Sequence, residues 1–265
     1  MCLLSPADYQ TYWKYCHKFP GLRSLDLATG KLRSDMSLTE ATTLSWLLVE
    51  GYGTGGSMLD WCKHQASFYV GMLLSAVRIE PNHQAFVASA AEPNSFATVI
   101  SAGNAQHSFK GADCGPILHS VIGTLEIPRS ALDVATCWLN GRLTATPTLR
   151  KRAETAARWI NQAALHREHV RFLFFFFAVD ALFGVRYEVE RSIVNGVTSI
   201  MPGDWGQRCE WLFELRSELV HGGSAAVNEW SRYERYGSHF GSEPESDIEE
   251  IATACLMGIF SSNSI

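Results

Sequence analysis

Near the C-terminal end of the chain an arginine and a histidine, Arg216 and His221, stand five residues apart in the run Leu215-Arg216-Ser217-Glu218-Leu219-Val220-His221-Gly222-Gly223. Arginine is a permanent cation whose planar fork fits phosphate oxygens. Histidine can take or give a proton near neutral pH. Together they match what metal-independent phosphodiester cleavage needs: a base for the attacking hydroxyl, a cation for the charge that grows on the phosphate, and an acid for the leaving oxygen. Ser217 adds a hydroxyl able to donate to a phosphate oxygen. A five-residue step turns an ideal helix by about 140°, so the two side chains share a face only if the helix loosens at its end. Gly222-Gly223 places His221 at such an end, where the helix dipole favours an imidazolium. Without further context, the plainer reading is an exposed helix arginine followed by a capping histidine.

Upstream, Asp180 stands inside the apolar run Arg171-Phe172-Leu173-Phe174-Phe175-Phe176-Phe177-Ala178-Val179-Asp180-Ala181-Leu182-Phe183-Gly184. An acid buried there needs a partner, and Arg216 is the expected one. The pair then either supports catalysis or is a structural ion pair that fixes the helices.

Three stretches in order, Ala178-Val179-Asp180-Ala181-Leu182-Phe183, then 188–197, then Phe213-Glu214-Leu215-Arg216-Ser217-Glu218-Leu219-Val220-His221-Gly222, resemble the HEPN superfamily, in particular its Apea-like domains. Asp180 stands where that pattern has Glu. The resemblance covers roughly residues 148–260. It implies a four-helix bundle and a homodimer in which two motifs meet, one His221 acting as base and its twin as acid. It also implies RNA as substrate, Arg216 and His221 as catalytic residues, and Asp180 and Ser217 as their support. A toxin-like or antiphage defence role and control by a regulatory protein would follow. The alternatives are a catalytically inactive HEPN module for dimerisation or RNA binding, and a helical structural protein in which the motif is coincidental.

A chain of 265 residues, 46% of them hydrophobic, can bury a large core. The fold class expected is mainly α: an HEPN-like bundle domain over 148–265, preceded by a mostly helical region of uncertain fold over 1–147. The first residues lack the basic segment and apolar run of a signal peptide, and the Phe-rich run is shorter than the ~20 residues that span a bilayer. A cytoplasmic protein with no membrane contact is the expectation. Seven cysteines, an odd number without Cys-x-x-Cys spacing, read as reduced core thiols. His166 and His169 are three apart and could share a helix face, but no further ligand group accompanies them, so neither a metal nor a cofactor is expected.

The net charge of −5 falls entirely on residues 151–265, which hold 11 basic and 16 acidic side chains. That is the wrong sign for a broad basic surface on nucleic acid. RNA would have to be gripped locally, by arginines such as Arg216, Arg171, Arg191 and Arg208, by the N-terminal region, or on a dimer surface.

The periodicity predicts one helix of about 34 residues, ~50 Å long at 1.5 Å per residue, capped by Thr148 and running from Leu149 to Phe183. It predicts a second from Tyr187 to Ile200 and a third from Trp205 to His221, with Asp204 as its N-cap and Gly222-Gly223 as its stop. A polar loop over 237–244 precedes a last helix from about Ser246 to Phe260. The aromatic excess at 172–177 predicts homodimerisation through the long helix and the motif helix. In the first part, Ser5–Lys18, Ser37–Glu50 and Ser57–Val77 read as helices, while 85–88 and 96–100 read as strands or broken helices. The glycines of 51–56 read as a flexible connection, since no Gly-Lys-Ser/Thr ending follows them.

Overall fold

The computed structural model describes residues 2–4, 25–26, 31–32, 46–48, 56–79, 96–103, 106–113 and 129–260. The chain divides into two compact units, Met1–Ala66 with Asn94–Ile117, and Ser67–Pro93 with Leu118–Ile265. The described residues are mainly α-helical.

In the first unit, β1 (Cys2–Leu4) pairs antiparallel with β4 (Trp46–Leu48), Cys2 opposite Leu48. The short strands β2 (Leu25–Asp26) and β3 (Lys31–Leu32) pair likewise, Leu25 opposite Leu32. β5 (Phe96–Gly103) and β6 (Gln106–Asp113) form a hairpin with Phe96 opposite Asp113 and Gly103 opposite Gln106. The predicted helix over Ser37–Glu50 is therefore wrong at Trp46–Leu48, where β-favouring residues find a strand partner distant in sequence. The ambiguous run at 96–100 is a strand. The expectations for Ser5–Lys18, 51–55 and 85–88 lie outside the described residues.

The helical unit reaches back past residue 148. It takes the Ser67 end of α1 (Gly56–Arg78) and all of α2 (Arg129–Thr144), because both bury side chains in the same core, Phe68, Met72 and Trp138 among them. Gly71 is what lets α1 approach so closely: a Cβ there would stand 1.7 Å from the Ala157 carbonyl oxygen. Trp138 Nε1 donates to the Leu256 carbonyl at 2.6 Å, which satisfies a buried indole and ties α2 to the last helix.

The long predicted helix is two helices, α3 (Pro147–Leu165) and α4 (Glu168–Phe183), folded against each other at His166-Arg167. Both turn residues are extended, and Glu168 is left-handed at φ 53°. The cause is burial. α3 presents an alanine face (Ala153, Ala156, Ala157, Ala163), and α4 buries Phe172, Phe175, Phe176, Val179 and Leu182 at three- and four-residue steps. A single rod would leave that aromatic stripe in water. Trp159 stacks on Phe174 at 5.4 Å and meets Phe177 edge-on at 5.5 Å. Phe172, Phe175 and Phe176 are thus buried within the unit, while Phe174 and Phe177 stay half-buried against Trp159. The cap is Thr146, whose hydroxyl accepts from Leu149 N at 3.3 Å, with Pro147 in the first turn.

α5 (Val189–Ile200) and α6 (Trp205–His221) follow, joined by the short connection at 201–204 that makes them antiparallel neighbours. Where the sequence predicts a loop over 237–244, a helix, α7 (Tyr233–Phe240), runs into the segment and precedes α8 (Pro244–Gly258). α8 carries Ile248, Ile251, Ala252, Cys255 and Leu256 into the core. Among the described residues no helix is long and apolar enough to cross a membrane.

Candidate functional site

α6 places the motif. Asp204 stands at its N-cap, though its carboxylate is bonded to Arg208 and makes no side-chain cap bond. At the other end Gly222 takes φ 78°, a conformation that costs glycine nothing. The Gly222 N–H and, at 2.8 Å, the Gly223 N–H both donate to the Glu218 carbonyl. The helix is regular through His221. The loosening that would bring Arg216 and His221 onto one face does not occur, and the two side chains leave α6 about 140° apart.

Arg216 is partly buried, packs its guanidinium 6.0 Å from the Phe213 ring, and has a buried Nε with no hydrogen-bond partner. It makes no ion pair among the described residues. An unmet donor on a permanent cation is costly to bury, so a group that accepts from it gains more than an ordinary hydrogen bond. Ser217 is partly buried and His221 exposed.

Asp180 is exposed, and it is not paired with Arg216. On α4 it falls one residue beyond Val179, off the stripe that faces the core. Its carboxylate lies against the end of the helix: a Cβ on Gly184 would meet Oδ1 at 2.0 Å. That partial desolvation pushes the carboxyl above its usual range, and the Arg216 and Arg152 charges pull against the rise through space.

Arg152 is the residue that sequence reading missed. From α3 it donates Nη1 to the Leu182 carbonyl and Nη2 to the Gly184 carbonyl, each at 2.9 Å, closing the C-terminal end of α4. Its partners lie 30 and 32 residues away, and no local pattern announces them. The arrangement holds one guanidinium fixed by carbonyls, one carboxylate, and a second guanidinium with a free donor.

Two of the arginines expected to grip RNA are committed elsewhere. Arg171 donates to Glu249 at 2.8 Å, a carboxylate it shares with Arg78. Arg208 is held by Asp247, Asp204, Ser242 and the Phe240 carbonyl. Arg191 is exposed on α5.

His166 and His169, three apart in sequence, do not share a helix face, because His166 lies in the turn and His169 in α4. His166 packs on Phe174 at 4.9 Å, while His169 Nδ1 is buried without a partner. Cys209 and Cys255 are buried thiols, with burial pushing Cys209 up to about 12 and Cys255 higher still, whereas Cys137 is exposed. Among the described residues no group of three or more His, Cys, Asp or Glu side chains is placed to hold a metal ion.

Comparison of the chain with protein-family models, with curated proteins and with solved structures finds no match.

Proposed function

We propose that the helical unit is a metal-independent endoribonuclease of HEPN type, with Arg216 and His221 as its catalytic residues. The observation that carries this reading is the unpaired Arg216: a cation with an unmet Nε donor, on the same helix as an exposed histidine at a glycine-capped end. Phosphate suits a partly buried guanidinium that makes no ion pair among the described residues.

His221 takes the proton of a ribose 2′-hydroxyl, whose oxygen attacks the adjacent phosphorus. Arg216 donates to the non-bridging oxygens as negative charge grows on them. The 5′-oxygen leaves with a proton from an acid, and the product ends in a 2′,3′-cyclic phosphate. Because the two side chains diverge on a regular helix, the reading assigns them to a site shared by two copies, with Arg216 of one copy and His221 of the other on one phosphate. Ser217 is a further donor. A toxin-like or defence role belongs to the same proposal and rests on the resemblance alone.

The test is incubation of the purified chain with single-stranded RNA and DNA of the same sequence in excess chelator. RNA is cut and DNA spared. The divergence of Arg216 from His221, with the acidic balance of residues 151–265, favours a second reading, an RNA-binding or dimerising module without catalysis. That reading predicts a gel shift with RNA and no cleavage.

A further inference from the structure

The connection between α4 and α5 carries a feature that neither packing nor the proposed chemistry uses. Tyr187 is 86% exposed, the most exposed large apolar side chain among the described residues, and its backbone is left-handed at φ 72°. A bulky residue adopts that conformation only under constraint.

The constraint is visible. Arg152 binds the carbonyls of Leu182 and Gly184, and Ser192 Oγ accepts from Val185 N at 3.0 Å. The Glu188 N–H donates back to the Val185 carbonyl at 3.0 Å. These bonds close the turn and hold the ring out in solvent, with the Arg186 guanidinium 4.8 Å from its centroid. The ring stands three residues beyond Gly184, at the Arg152 end of the candidate site. Arg186 beside the ring and Arg191 four residues on in α5 are both exposed and make no ion pair among the described residues, against the exposed Glu188 and Glu190.

We infer that Tyr187 is a stacking platform for an unpaired base of a single-stranded RNA, with Arg186 beside it for the neighbouring phosphate. This rests on the ribonuclease reading for the identity of the ligand. An exposed aromatic next to unpaired arginines is the combination that binds single strands with little regard to sequence, the ring taking a base face and the cations the backbone. Tyr187 is a positioning residue and takes no part in bond making.

The experiment measures binding of a fluorescein-labelled uridine decamer, and of a decamer with an abasic tract, by anisotropy at low salt. Loss of one stacked base weakens binding by roughly 5- to 150-fold. Tyr187→Ala is therefore expected to lose that factor on the uridine strand and nothing further on the abasic strand, with Tyr187→Phe like the wild type. Tyr187→Gly is expected to lose the same affinity while its melting temperature holds or rises, since glycine relieves the strained φ. A purely structural tyrosine would show the reverse. Wild-type affinity in Tyr187→Ala, or an equal loss on both strands, overturns the inference. Absence of RNA binding by the wild type overturns it together with the ribonuclease reading. Binding that depends on Tyr187 without any cleavage overturns the ribonuclease alone.

Discussion

The N-terminal half of α6 is clamped to α7 and α8 through one carboxylate, and its removal has a calculable effect. Asp247 is 2% exposed, and its Oδ2 accepts from Arg208 Nη1 at 2.6 Å, Tyr236 Oη at 2.6 Å and Ser242 Oγ at 2.8 Å. Asp247→Ala strips all three donors of their acceptor at once. Breaking a buried ion pair costs about 3–5 kcal/mol. Arg208 keeps Asp204, Ser242 and the Phe240 carbonyl, and its guanidinium stays between the Trp205 and Phe240 rings at 4.9 and 4.7 Å. The lower end, about 3 kcal/mol, is therefore expected, a fall in melting temperature of roughly 6–12 °C for a unit of this size. Circular dichroism on heating and in urea measures it. A double-mutant cycle sharpens the test, because Arg208→Met with Asp247→Ala removes both charges and is expected to recover part of the loss. A change below about 1 kcal/mol in the single variant, or additive losses in the double, would refute the clamp.

Two further outcomes follow from the geometry. The Asp180 carboxyl is raised in the folded chain, so folding favours its protonated form: its contribution is present at acid pH and is lost as pH rises through the folded value. Asp180→Asn is accordingly expected to leave stability at neutral pH unchanged or higher, with the gain vanishing in acid, and a large loss at neutral pH would restore the buried partnership with Arg216. Gly71→Ala places a methyl 1.7 Å from a helix carbonyl that cannot yield without moving α3, and a cost of about 1–3 kcal/mol is expected; an unchanged urea midpoint would contradict the close approach of α1.

How far the sequence could be read depended on punctuation. Pro202-Gly203-Asp204 and Gly222-Gly223 bracket α6, and the predicted span Trp205–His221 is the one observed. The turn between α3 and α4 has neither glycine nor proline. Only the gain from folding a phenylalanine stripe onto an alanine face breaks the helix there, and local propensity holds no trace of it. The same run hid the exposure of Asp180, because a segment apolar all round does not say which side meets water. α7 was masked by Gly237, Ser238 and Gly241, turn residues outweighed by the burial of Tyr236 in the Asp247 clamp. Of the residues proposed for the site, Arg216, Ser217 and His221 follow from type and spacing in the sequence, which did not show that a regular α6 holds Arg216 and His221 apart. Arg152 was not, since its role depends on carbonyls brought to it by the α3–α4 fold. Arg171 and Arg208 misled for the same reason, their carboxylate partners Glu249 and Asp247 lying on α8.

The central claim is that Arg216 and His221 cleave RNA. Its most direct test is quantitative cleavage of single-stranded RNA in excess chelator by the wild type, His221→Ala and Arg216→Lys, with the new ends identified by mass spectrometry. The wild type is expected to leave 2′,3′-cyclic phosphate ends. His221→Ala is expected to be slower by on the order of 10²–10⁴-fold, and Arg216→Lys to fail as well, because lysine has neither the planar fork nor the Nε donor that stands unmet in this fold. Full activity in His221→Ala, or no cleavage by the wild type, would contradict the account.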